Sequence, residues 1–200
     1  MKRIILMALL AMALPLAAFA DTSIEFTSSG GTLAGSSAGL SLSGSTLIGV
    51  NGLAGLGLVT GDLGGVTFTT GTLTGDLQMG GSFAAGGSFV ITGNGTNGVP
   101  NTTIFTGSFS GPVTWTLMTL ANGTHQYTLA GTIQGTMYTG QSVVGSTILL
   151  TVNTGKGFFN GSVGVVSSDT GLSVPEPGTL GLLGTGLIGL AGVLRRKVKS

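Results

Sequence analysis

From Asp21 onward apolar and polar residues alternate in short runs, and no stretch sustains a helical period. Ile24 and Phe26 alternate with Ser23, Glu25 and Thr27, which predicts a first strand. Gly30 to Gly57 is softer: Leu40 and Leu42 alternate with Ser41 and Ser43, but glycine and alanine break the pattern often. Clearer strands are predicted at Val66–Thr70, Ser88–Thr92, Thr102–Phe109, Val113–Leu120, Gln126–Ile133, Ser146–Val152 and Phe158–Val166. Turn signals separate them. Asn122-Gly123 and Asn160-Gly161 suit type I′ hairpins, because both residue types tolerate positive φ, and Gly111-Pro112 is a further break. Short strands at regular spacing predict an all-β body, an antiparallel β-sandwich or a barrel. A β-solenoid would need a fixed repeat, and only T-G-D-L recurs, at Thr60–Leu63 and Thr74–Leu77.

The two ends follow a different pattern. Lys2 and Arg3 precede an apolar run, Ile4 to Leu14, and then Ala18-Phe19-Ala20. That is the order of a secretory signal peptide with an A-x-A cleavage site at Ala18 and Ala20, so residues 1–20 are expected to be removed. At the other end Val174-Pro175-Glu176-Pro177 leads into an uncharged run from Gly178 to Leu194, closed by Arg195, Arg196, Lys197 and Lys199. As a helix at about 1.5 Å per residue the run spans roughly 25 Å, close to the minimum for a bilayer. The basic stop would hold its C-terminal end in the cytoplasm. Two prolines keep the motif out of a helix, so it should be extended and accessible to a processing enzyme. This motif, apolar helix and basic stop resemble the PEP-CTERM sorting signal of Gram-negative exported proteins. The resemblance implies an exosortase as the processing partner and membrane attachment until processing. It covers residues 174–200 alone, and implies nothing about the fold of the 21–173 body.

Charge sharpens this division. Charged residues are 6% of the chain, against about 25% in ordinary soluble domains, so the body's polar surface must come from Thr, Ser, Asn and backbone. Six of the seven basic residues lie in the two ends. Lys156 stands alone in the body against Asp21, Glu25, Asp62, Asp76 and Asp169, which excludes a basic nucleic-acid surface. Cysteine is absent, so neither disulfides nor thiolate metal sites arise.

Candidate chemistry is sparse. Gly35-Ser36-Ser37-Ala38-Gly39 fits a G-x-S-x-G nucleophile elbow, and Asp62 or Asp76 and then His125 follow in hydrolase order. That motif requires a strand–turn–helix, which the patterning does not offer. Gly184-Thr185-Gly186-Leu187-Ile188-Gly189 matches a dinucleotide fingerprint, but sits in the apolar tail with no preceding strand. His125, beside Asn122-Gly123, reads as a solvated hairpin residue. Asp62 and Asp76 read as turn residues rather than a calcium cage, so no metal or other cofactor is expected. Trp115 shares a strand face with Val113 and Leu117, which favours a core position over a sugar platform. Tyr127 and Tyr138 are unspecific. Sequons at Asn94, Asn101, Asn122 and Asn160 are mostly Asn-Gly turns.

With so few titratable groups there is little for acid–base chemistry. The expected protein is therefore a non-enzymatic structural or adhesive component of the cell surface or extracellular polysaccharide matrix. The resemblance implies exopolysaccharide as a partner of that setting. A carbohydrate-binding module using Trp115 or Tyr127, and a secreted serine hydrolase, are the alternatives.

Overall fold

A computed structural model describes residues 22–174. The signal-peptide residues, Ala18 and Ala20 among them, lie outside the described residues. So do Pro175, Glu176, Pro177, the apolar run 178–194 and Arg195, Arg196, Lys197 and Lys199.

The described residues form twelve strands in one antiparallel sheet: β1 (Thr22–Ser29), β2 (Thr32–Ser36), β3 (Gly39–Asn51), β4 (Val59–Thr69), β5 (Leu73–Asp76), β6 (Gly80–Phe83), β7 (Gly86–Gly93), β8 (Thr103–Phe109), β9 (Val113–Thr119), β10 (His125–Met137), β11 (Ser142–Gly155) and β12 (Ser162–Val174). Four pairs of short strands each occupy one position. β1 and β2 both lie along β3, with Ser29 opposite Thr46 and Thr32 opposite Ser43. β4 and β5 run as one interrupted strand beside β7 and β6. β6 and β7 in turn lie beside β9 and β8, and β8 and β9 both lie along β10. Twelve strands less four such joints leave eight positions, each paired to the next in chain order.

The sheet closes on itself. β10 pairs with β11, β11 with β12, and β12 with β2 through Val163 opposite Leu33. Between the two architectures the sequence allowed, the pairing is that of an up-and-down barrel, in which closure leaves no free edge along the seam. Stepping through registered pairs from Leu33 to Leu42, Phe68, Phe89, Gly107, Gly135 and Val143 leads away from Val163 rather than back to it. That stagger is what tilts strands in a barrel.

Period-2 alternation decides what lies inside. Along β10, His125, Tyr127, Leu129, Ile133 and Met137 are buried, while Thr132, Gln134 and Thr136 are exposed. The interior is a packed core, not a channel. Phe68 stacks on Phe89 at 5.9 Å and meets Phe109 edge-on at 5.7 Å. Gly107 and Gly135 are registered partners on adjacent strands. A Cβ on Gly135 would stand 2.8 Å from the Phe105 ring, so the missing side chain is where that ring fits. Outside, Thr67, Thr69, Thr92, Thr106, Thr114, Thr116, Thr132 and Thr136 are exposed. Apolar inside and hydroxylated outside is the inverse of a lipid-embedded barrel. Among the described residues no helix is long and apolar enough to cross a membrane.

Three local expectations are corrected. Phe158–Val166 is not one strand, because β12 begins at Ser162 and Phe158–Gly161 belong to the connection before it. Asn122-Gly123 closes a three-residue loop, with Gly123 N–H donating to Leu120 O and Leu120 N–H to Thr124 O, both at 2.9 Å. Gly123 has φ 77 but Asn122 is not left-handed, so the turn is not type I′. The same holds at Asn160-Gly161, where only the glycine takes positive φ and its carbonyl accepts from Gly35 N–H at 2.9 Å.

Candidate functional site

The structure draws Trp115 and Tyr127 into one end of the barrel and leaves Tyr138 exposed at the other. Trp115 is buried and its Nε1–H donates to Leu77 O at 2.9 Å. It stacks on Tyr127 with ring centroids 4.9 Å apart. The Tyr127 hydroxyl donates to Gln78 O at 2.6 Å and accepts from Phe159 N–H at 3.1 Å. Phe159 meets Trp115 edge-on at 5.5 Å. These polar tips pin two connections, 77–79 and 156–161, onto the core. Trp115 is the core residue its strand face predicted. Tyr127 is buried as well, so neither ring is a surface on which a sugar can stack.

His125 is not solvated. It is buried, with Phe158 stacked on its ring at 4.4 Å and Thr119 Oγ1 3.1 Å from its Nδ1. The local sequence placed it at a hairpin end; the covering ring comes from a connection more than thirty residues further on.

The carboxylates have structural partners. Asp76 Oδ1 accepts from Gln78 N–H at 2.6 Å and Met79 N–H at 2.9 Å, closing the β5–β6 turn. Asp62 Oδ1 accepts from Asn94 Nδ2 at 3.3 Å. Asp169 Oδ1 accepts from Thr27 Oγ1 at 3.0 Å. Among the described residues no three His, Cys, Asp or Glu side chains come together. A shallow outer-wall recess of about 320 Å³ lies between Glu25, Thr27, Leu149, Asp169 and Gly171. Sequence reading missed it, because strands from the two ends of the body meet there.

The G-x-S-x-G match is a hairpin turn. Ser36 and Gly39 are registered partners of β2 and β3, and Ser36 Oγ accepts from Ala38 N–H at 3.2 Å. The helix that an elbow needs does not follow it.

The sorting motif begins inside the fold. Val174 was expected to be accessible, but it closes β12 and is 5% exposed. It continues the inward face that Ser168, Thr170 and Leu172 already occupy. The barrel and the motif therefore share a residue, with no linker between them.

Taken together, the described residues are a filled barrel with a hydroxyl-bearing wall, and the sequence expected to be a sorting signal follows its last strand. Comparison with known families specifies that signal. Residues 173–197 match the PEP-CTERM protein-sorting motif. The match takes in Val174, Pro175, Glu176, Pro177, the apolar run, Arg195, Arg196 and Lys197, and stops short of Lys199. No curated protein and no solved structure matches the chain.

Proposed function

We propose that this is an exported protein, processed by an exosortase, whose barrel serves without enzymatic activity as a structural or adhesive component of the cell surface or extracellular polysaccharide matrix. The observation that carries the reading is the sorting motif at 173–197 joined directly to a closed barrel. The signal peptide starts export, the apolar run holds the chain in the inner membrane with its basic stop in the cytoplasm, and cleavage near Pro175–Pro177 frees the body. A body meant to persist outside the cell gains from a closed sheet, since closure removes the free strands on which chains aggregate. Its threonine wall offers hydroxyls to glycan or neighbouring chains at little electrostatic cost.

Replacing Pro175, Glu176 and Pro177 by alanine tests the first step. The account expects the variant to stay in the membrane fraction at full length while the wild-type body is released. Equal release of both would remove the motif from the account.

A further inference from the structure

Connections alternate between the two ends of the barrel, and one end has a composition of its own. Glu25 is registered with Asn51, so the connection Gly52–Leu58 lies beside the start of β1. β12 runs antiparallel to β2, which has the same direction as β1 along β3, and Asp169 of β12 meets Thr27 of β1, so β12 runs out at Val174 beside that start. Both limits of the described chain and the 52–58 connection thus share one end.

That connection reads Gly-Leu-Ala-Gly-Leu-Gly-Leu, without one polar side chain. It is built rather than loose. Gly52 N–H donates to Leu56 O and Leu56 N–H to Leu53 O, both at 2.9 Å, and Leu53 is buried as an anchor. Ala54 is held at φ 51, a conformation alanine seldom adopts. The outcome is outward display of apolar surface: Leu58 is 72% exposed and Leu56 partly so. Tyr138 is exposed in the 138–141 connection, at the same end but across the barrel. The connections 94–102 and 138–141 carry no charged residue. Asp76 and Lys156 belong to the opposite end, and Glu25 and Asp62 face outward from the wall.

We propose that this end is a lipid-contact surface: Leu56 and Leu58 enter the interface of the bilayer that holds the sorting tail. The inference rests on the tail reading above. Only Pro175, Glu176 and Pro177 separate β12 from the apolar run, and three extended residues reach about 10 Å at most. With the tail inserted, so short a span keeps the end of β12 close to the membrane, and tethering makes even a weak apolar contact persist. Exposed leucines on a connection that itself carries no charge suit that interface. The contact depends on apolar burial, so added salt leaves it unchanged.

The cysteine-free chain permits a direct test. Full-length protein carrying Gly57→Cys, Met79→Cys or Leu187→Cys is labelled with an environment-sensitive fluorophore and reconstituted in phosphatidylcholine vesicles. A Cβ at Gly57 meets nothing within 4 Å, so the probe leaves the loop intact; Tyr138→Cys gives a second reading at the same end. The proposal expects blue-shifted emission and quenching by spin-labelled lipid at positions 57 and 138, with water-like emission at 79. Water-like emission at 57 and 138 overturns it, whatever position 187 reports. Equal quenching at 57 and 79 overturns it too, since contact would then not be confined to one end. A water-like probe at 187 instead sinks the tail reading.

Discussion

Tyr127 is the most informative single position. Its ring is buried against Trp115, and its hydroxyl ties two connections of one barrel end together. Tyr127→Phe keeps the ring and removes only that hydroxyl. Gln78 is exposed, so its carbonyl can turn to water, but the Phe159 N–H is buried and loses its acceptor. One orphaned buried donor costs about 2 kcal/mol. In a domain of this size each kcal/mol lowers Tm by about 2–4 °C, so the expected fall is about 4–8 °C. Tyr127→Ala, which also opens a cavity beneath Trp115, should cost about 3–5 kcal/mol. Tyr138→Phe is the control; its ring is exposed, and less than about 0.5 kcal/mol is expected. Thermal melts of the full chain in detergent by circular dichroism give the shifts, and polysaccharide co-sedimentation of the folded variants gives retention. A Tm for Tyr127→Phe within a degree of wild type would refute the pinning argument. A normal Tm with lost retention would be worse for the account, because Tyr127 would then reach a ligand.

Four other outcomes follow from the same coordinates. Ser168 Oγ is buried with no hydrogen-bond partner, so Ser168→Ala should raise stability by about 1 kcal/mol, read as a higher Tm. Gly64→Ala would drive a Cβ into the Thr92 carbonyl at φ 144 and should prevent folding, whereas Gly164→Ala, with open space around it, should melt like wild type. Val174→Asp places a charge at a buried strand end and should cost at least about 2 kcal/mol in the melt, although it alters only the first residue of the sorting motif. Ser37→Ala, in an exposed hairpin turn, should leave Tm and any detected hydrolytic activity unchanged; an activity lost with that hydroxyl would reinstate the hydrolase reading.

What could be read from the sequence divides along physical lines. The strands from β7 to β11 are legible because Val, Ile, Phe, Leu and Thr recur there in runs long enough to show a period of two, despite breaks such as the adjacent buried Ile104 and Phe105. β3 is not, because a bulge interrupts it: Leu40 and Leu42 face inward, Gly44 takes φ 66, and the inward face then resumes at Ser45 and Leu47. One inserted residue reverses the alternation and makes a continuous strand look broken. Gly111-Pro112 is the break its residues predict, but it divides one strand position along β10 rather than separating two. Closure was illegible, since a sandwich and a barrel share the same period and the seam joins Leu33 to Val163. His125 shows the same limit in a single residue, its burial coming from Phe158. The sorting motif is legible because it lies in composition and order, and residues 173–197 match it. Only the burial of Val174 required the fold.

The central claim is that the barrel is exported and cut free at the motif. The direct test is the intact mass of the native protein recovered from the extracellular fraction. The account predicts a chain beginning after Ala20 and ending between Pro175 and Pro177, with any heterogeneous excess reporting glycosylation of the threonine wall. A mass running to Ser200 would contradict it and make the protein a permanently anchored one.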